Sequence, residues 1–382
     1  MTLSASLVFL ALQCLLRVAF VGDLQADGNE QLSYNRKSIF KELRSRKDID
    51  MIIVLGDIVN DDIGLLGPSI ESLDSLPAPW FAIPGNHDRD IYSDKPRDLK
   101  TWQRKVGYID TAFTVNHTRF VLMNNVRTTG QNDYEGGISE TQKTWLDSIA
   151  RNSKDARQFV LAMHIPASEM KGLDSLMNIL APVSDRTVLF SGHTHTVKRH
   201  RLESGMEENI CGAACGSWWR GYKDENGLPY ALMRCGSPRG YFIADFKRKG
   251  YSLDYKPVFR DKRCSATIID SSSHTVAINM YGGSEEGQVK YRPAGSRKWI
   301  EAARSGRTAP EVMEVIKWNE SKTREYRKKH KEEFIPMLMR KSPHLWEVQD
   351  TTAKPGSYVT VRYSDSSMKR EMKVELQNLH ME

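Results

Sequence analysis

The sequence predicts a mixed α/β domain followed by a smaller β-rich domain. Its 382 residues exceed one ordinary domain and suit two, each able to bury its own core. Up to about residue 200, short apolar runs alternate with helical patterns, as in a sheet with crossover helices. Beyond Lys256 short β-prone runs are separated by Gly, Ser and Pro turns.

Taken in order, Arg17 to Val21 reads as a buried strand ending in Gly22-Asp23. Residues 33–47 read as a polar-faced helix. Met51 to Leu55 is a second strand, ending in Gly56-Asp57, and Trp80 to Ile83 a third, leading into Pro84-Gly85-Asn86-His87-Asp88. After a charged loop, residues 111–115 and 119–125 read as paired strands. Ser139 opens a helix to about Asn152, with Gln142 placed to complete a capping box. Phe159 to Met163 ends in His164, and Thr187 to Phe190 leads to Gly192-His193-Thr194-His195.

Residues 205–240, rich in Gly and Trp, read as long loops, followed by strands at 241–246 and 251–256. Runs at 265–270, 275–281, 287–291 and 357–363 predict a small β-sandwich, interrupted by a charged helix from about Thr323 to Met339. The chain therefore divides into an apolar leader (1–16), an α/β domain (17–258) and a β-rich domain (259–382).

The formal charge of +7 comes from the last part of the chain, where Lys256 onward holds 24 Lys or Arg against 17 Asp or Glu. The signs are mixed. The basic run Lys322, Arg324, Arg327, Lys328, Lys329 and Lys331 is interleaved with Glu325, Glu332 and Glu333, as on a solvated helix face. Tyr326 alone does not supply the aromatics that nucleic-acid binding would want.

The longest apolar stretch, Leu3 to Phe20, is interrupted by Arg17 and leaves no transmembrane segment. Residues 3–16 have the length of a signal-peptide core but lack a preceding basic residue and a small-x-small cleavage site. Secretion or a periplasmic location follows if this leader is a signal, cytoplasmic residence otherwise. Cys14, Cys211, Cys215, Cys235 and Cys264 have no zinc-ribbon spacing, and free thiols or one disulfide account for them.

Five strand ends deliver groups able to bind a metal: Asp23 with Gln25, Asp57, Asn86 with His87, His164, and His193 with His195. A lone Gly-Asp or lone His after a strand is usually structural, but five in this order are hard to obtain by accident. Two metals about 3.5 to 4 Å apart need one bridging carboxylate, with mixed oxygen and nitrogen ligands filling each shell. Asp57 is the natural bridge. The mixture suits Mn, Mg, Fe or Zn.

The order Asp-x-Gln, Gly-Asp, Gly-Asn-His-Asp, His, Gly-His-x-His over residues 17–200 resembles the calcineurin-like metallophosphoesterases. The resemblance implies a two-layered β-sheet core flanked by helices and a site of two divalent or trivalent ions. One ion would take Asp23, Gln25, Asp57 and His195, the other Asp57, Asn86, His164 and His193. His87 would be catalytic, stabilising the transition state and protonating the leaving oxygen, with Asp88 and neighbouring acids setting its protonation. A metal-bridging hydroxide would attack a phosphomonoester or phosphodiester, small molecule or phosphoprotein. Position 25 departs from the family, most of which has His; a branch that includes a cytosolic protein phosphatase has Asp-x-Gln, which raises Ser/Thr protein phosphatase activity.

Gly136-Gly137-Ile138, the Cys215 to Gly221 tryptophan loop and Cys235 to Phe246 are similar to bacterial members with a dedicated C-terminal β domain. Such proteins usually carry a further small β domain in front. With the first strand starting at Arg17, the resemblance implies a short member or an incomplete gene model. Trp218, Trp219 and Arg220 are candidates for the substrate cleft, Arg220 as a phosphate fork, against the alternative of two core tryptophans. Tyr134 and Arg239 are weaker candidates for the same rim. A non-catalytic binding protein with a degraded site, and a nuclease, are the competing readings.

Overall fold

The computed structural model describes residues 15–92, 94–221, 223–224, 226–317 and 339–378. The leader to residue 14 and nearly all of the expected helix at 323–339, with its basic run, lie outside these. The chain divides into two compact units. The first runs to Thr194 and resumes over His200–Ala214 and Tyr241–Leu253; the second comprises His195–Arg199, Cys215–Gly240 and the chain from Asp254. This division is not the sequential cut at 258/259, because the tryptophan loop groups with the C-terminal residues.

The first unit is built on two sheets. One runs β13(Tyr251–Pro257), β12(Gly240–Phe246), β1(Leu16–Val21), β2(Met51–Val54), β3(Trp80–Ala82). The other runs β10(Val197–Arg201), β11(Glu207–Cys211), β9(Thr187–Ser191), β8(Gln158–Ala162), β5(Thr118–Leu122), β4(Thr111–Val115). Phe20 of β1 stacks on Phe190 of β9 with centroids 3.7 Å apart, and Phe120 of β5 meets Phe246 of β12 edge-on, so the sheets are layered face to face.

On the far side of the second sheet, α5(Glu140–Arg151) and α6(Leu173–Leu180) bury Leu146, Ile149, Leu176 and Leu180 against Val121, Phe159, Leu161 and Leu189. The capping box of α5 forms: the Ser139 hydroxyl accepts from Gln142 N–H at 3.2 Å, and Gln142 Oε1 accepts from Ser139 N–H at 2.9 Å.

Two expectations in this unit need correction. The helix at 33–47 is two, α1(Asn29–Lys37) and α2(Ile39–Ser45), broken at Ser38. The Ser38 hydroxyl donates to Tyr34 O at 2.6 Å, a local bond that competes with helix continuation. The loop reading of 205–240 misses β11, whose Glu207, Glu208 and Asn209 are polar yet buried. Glu208 is satisfied by the Ala167 N–H at 2.5 Å and by His200 Nε2 at 3.3 Å, partners a hydrophobic pattern does not reveal.

In the second unit the expected sandwich is instead one eight-stranded sheet, β17-β16-β20-β21-β14-β15-β19-β18. β14(Cys264–Asp270), β15(Thr275–Met280), β16(Gln288–Arg292) and β20(Tyr358–Ser364) fall where predicted. β17(Ile300–Glu301), β18(Ala303–Arg304), β19(Leu345–Gln349) and β21(Lys369–Asn378) are additional. β21 pairs β20 antiparallel and β14 parallel, joining what would have been two sheets. Residues 300–304 pair through β17 with β16 and through β18 with β19, so the two edges meet and the sheet rolls nearly into a barrel. Val276, Ile278, Val289, Tyr291, Trp346 and Val361 fill it.

Candidate metal centre

The parallel pairings β1 with β2, β2 with β3, β5 with β8 and β8 with β9 put the carboxyl ends of each sheet's strands at one edge. That edge delivers Asp23, Asp57, Asn86, His164 and His193. The backbone there is unusual: Asp23 (φ 44°), Gln25 (39°), Asp57 (49°) and His193 (70°) are left-handed, a conformation costly for residues with a Cβ and concentrated at functional sites.

Close approach also dictates two glycines. A Cβ on Gly85 would sit 2.0 Å from Asp57 Oδ1. One on Gly56 (φ 89°) would sit 2.6 Å from His164 Nδ1.

Asp57 is at the centre and buried. Its Oδ1 accepts the His87 N–H at 2.9 Å; its Oδ2 lies 3.2 Å from the Gln25 amide nitrogen and 3.3 Å from His164 Nε2. His164 Nδ1 donates to Leu55 O at 2.7 Å, which leaves Nε2 facing Asn86 Oδ1 at 3.0 Å and His193 Nδ1 at 3.2 Å. Asp23 accepts the His193 N–H on both oxygens, at 3.1 and 3.0 Å. Asp57, His164 and His193 each offer a ligating atom within 4.8 Å of the others.

These residues fit a divalent cation. A metal-binding imidazole characteristically donates its second nitrogen to a carbonyl, as His164 does, and turns the other to the metal. That nitrogen here meets two acceptor oxygens. The pocket also calls for positive charge: burial pulls the His164 imidazole down, but Asp57 lifts it to about 9. Asp57 itself, despite burial, is held well below the carboxylate range by His164, His87 and His193. Burial pushes the Asp23 carboxyl well up, with Asp57 adding to it.

The acid facing His87 is Asp61, which the sequence reading did not single out. Its Oδ1 lies 3.1 Å from His87 Nδ1, and it also pairs with Arg97. Although burial opposes it, Asp61 and Asp57 raise the pKa of His87. Asp88 is fully buried and accepts instead from Val59 N–H at 3.0 Å and Gly85 N–H at 2.9 Å, shaping the loop; burial and Asp57 push it up to about 6. The signal available for Asp61 was its place four residues after Asp57 in a polar turn.

His195, Trp218, Trp219, Arg220 and Arg239 belong to the second unit. His195 is buried and left-handed (φ 52°), with Nδ1 2.5 Å from Gly216 O and its ring stacked on Trp218 at 4.0 Å. Trp218 is partly exposed and Trp219 buried, with Arg239 over the Trp219 ring at 4.9 Å. In the first unit Tyr134 is exposed and meets the His193 ring edge-on at 5.8 Å. Among the described residues no helix is long and apolar enough to cross a membrane.

Residues 16–197 match the family model described as calcineurin-like phosphoesterase, and residues 208–369 match the model for the C terminal of calcineurin-like phosphoesterase. A probable glycerophosphodiester phosphodiesterase GpdQ from Arcobacter nitrofigilis is 24% identical over 202 residues, covering 47% of this chain and 72% of that protein. A manganese-dependent ADP-ribose/CDP-alcohol diphosphatase from Arabidopsis thaliana is 29% identical over 92 residues, 19% of this chain and 30% of that one.

Among solved structures, a dimetal phosphatase from Danio rerio is similar with a TM-score of 0.47 at 12% identity, covering 64% of this chain and 98% of its own. A 5'-nucleotidase from Candida albicans reaches a TM-score of 0.36 at 11% identity, covering 63% and 50%. The two family models, which between them run from residue 16 to residue 369, lead to one conclusion: the chain belongs to the calcineurin-like phosphoesterases, metal-dependent hydrolases of phosphoric esters, and carries their C-terminal domain.

Proposed function

We propose that this chain hydrolyses a small phosphodiester or phosphomonoester with metal ions that Asp57 and the residues around it would hold. The observation that carries the reading is the buried Asp57 carboxylate, with one oxygen against the His87 N–H and the other against Gln25 and His164. Asp23, Gln25, Asp57, Asn86, His164 and His193 are the proposed ligands, and the Gly-His-x-His spacing of the sequence adds His195. Mn, Mg, Fe and Zn all suit the donors. Bound there, such ions would supply Lewis-acid polarisation of phosphoryl oxygens and a more acidic water.

The chain's own groups supply the rest. His87, anchored through its backbone to Asp57, has Asp61 3.1 Å from its Nδ1, and despite burial the Asp61 and Asp57 carboxylates raise its pKa, which suits it to donate a proton to the leaving oxygen. Arg97 holds Asp61 in place. Trp218, Trp219 and Arg220 are proposed to contact substrate. The two curated relatives are named for a phosphodiester and for diphosphates, which favours a small diester over a phosphoprotein; Gln25 alone speaks for the latter.

The test is a metal-titrated assay on p-nitrophenyl phosphate and its bis ester, with Asn86→Ala and His87→Ala. Chelation is expected to abolish turnover, and each variant to lose about 100-fold or more in kcat. Turnover surviving both substitutions refutes the site.

A further inference from the structure

In the second unit, two guanidinium groups lie over one tryptophan ring, with a third arginine beside one of them. The guanidinium carbon of Arg234 lies 4.5 Å from the centroid of the Trp218 ring and that of Arg220 lies 4.8 Å from it. Arg340 joins them: its N–H donates to Arg234 O at 3.1 Å, and its charge is felt at the Arg234 guanidinium. Among the described residues no carboxylate pairs with Arg220, Arg234 or Arg340, whereas elsewhere in the same unit Arg199 is matched by Asp365 and Arg362 by Glu371.

Arg234 Nε is buried and has no hydrogen-bond partner. Burial, with Arg340 and Arg220 alongside, pulls the Arg234 guanidinium down to about 10. Like charges gathered without a counter-charge in a partly dry place destabilise one another, and a bound anion relieves them.

The loop is built to hold this arrangement. Trp218 (φ 52°) and Trp219 (φ 55°) are consecutive left-handed residues, a strained pairing for bulky side chains. Backbone bonds Ser217 N–H to Ala231 O and Ala231 N–H to Arg220 O, at 3.1 and 2.9 Å, tie the loop to the segment that carries Arg234. The other neighbour of the Trp218 ring is His195, stacked at 4.0 Å, so an anion on the arginines would lie one ring away from a proposed metal ligand.

We propose that Arg220, Arg234 and Arg340 form an anion subsite beside Trp218, which takes a second phosphate or carboxylate of the substrate, separate from the phosphoryl group that is cleaved. The assignment to substrate rests on the phosphoesterase reading above; the anion site itself does not. The enzyme then selects phosphoesters that bear an additional negative group over those whose leaving group is neutral.

Two measurements separate the claims. The first titrates inorganic phosphate into the full chain after chelation of metals, reading tryptophan fluorescence and calorimetric heat. Saturable binding is expected, weakened about tenfold in Arg234→Gln and in Arg340→Gln, since one charge-assisted contact is lost in each. The exposed Arg340 makes the second variant safe for folding, and thermal melts check both. Arg362→Gln, whose guanidinium pairs with Glu371, is the control and binds as wild type. Absence of saturable binding, or binding equal in wild type and both variants, overturns the site whether or not the chain hydrolyses anything.

The second compares KM for phenyl phosphate and carboxyphenyl phosphate on metal-loaded enzyme. About a tenfold advantage for the carboxylate is expected, lost in Arg234→Gln. Equal KM values with phosphate binding intact overturn the assignment to substrate and leave an anion site of other use.

Discussion

Asp61 Oδ1 stands 3.1 Å from Nδ1 of His87, and the same carboxylate pairs with Arg97. His87 therefore has its imidazole oriented from one side by Asp61 while its backbone N–H is fixed on Asp57 from the other. Asp61→Asn is expected to lower kcat by about 10- to 100-fold with little change in KM, because the partner that orients and charges the imidazole is lost while metal ligands remain. Steady-state kinetics across pH on the better p-nitrophenyl ester checks this. A kcat equal to wild type throughout would show that Asp61 has no part in catalysis.

His344 links the loop at Ser237 to Asn279 of β15 and predicts a pH dependence. Its Nδ1 donates to Asn279 Oδ1 at 2.7 Å, its Nε2 faces Ser237 Oγ at 3.1 Å, and Asn279 Nδ2 donates to Glu311 Oε2 at 3.2 Å. The ring is fully buried, and burial lowers its pKa to about 3. Between about pH 6.5 and pH 3 the unfolded chain thus binds a proton that the folded chain does not. Stability is fully present above that window and falls with pH inside it, by up to about 1.4 kcal/mol per unit from this group. Urea unfolding at several pH values is expected to show a shallower slope in His344→Gln, which is also less stable at pH 7; identical slopes would remove His344 from the acid response.

The α5 cap offers a test without chemistry. Ser139→Ala removes one half of the capping box and is expected to cost about 1 kcal/mol. Gln142→Ala costs more, about 1–3 kcal/mol, because its Nε2 also donates to Asn124 O at 2.7 Å and Asp110 Oδ2 at 3.1 Å in a half-buried place. Chemical denaturation of the two variants ranks them, and equal losses would mean that the Asn124 and Asp110 contacts contribute nothing.

By itself the sequence determined the strands that carry the candidate metal centre and the residues at their ends. Continuous runs such as Met51–Val54 and Phe159–Ala162 are buried on both faces, so their periodicity is legible without a partner, and Gly56-Asp57 or His164 must follow where the run stops. The capping box was legible for the same reason: both of its bonds close within four residues.

What only the tertiary structure decided is which distant side chains meet. Asp61 rather than Asp88 faces His87 because Asp88 is drawn inward by the Val59 and Gly85 N–H groups, contacts set by the path of two loops. Arg234 reaches Trp218 through backbone bonds between segments a dozen residues apart, and β21 unites the C-terminal strands through pairings more than 100 residues away in sequence. Periodicity records which face of an element is dry; it holds no information about the partner that dries it, and loop side chains take their direction from left-handed backbone turns that only the folded chain stabilises.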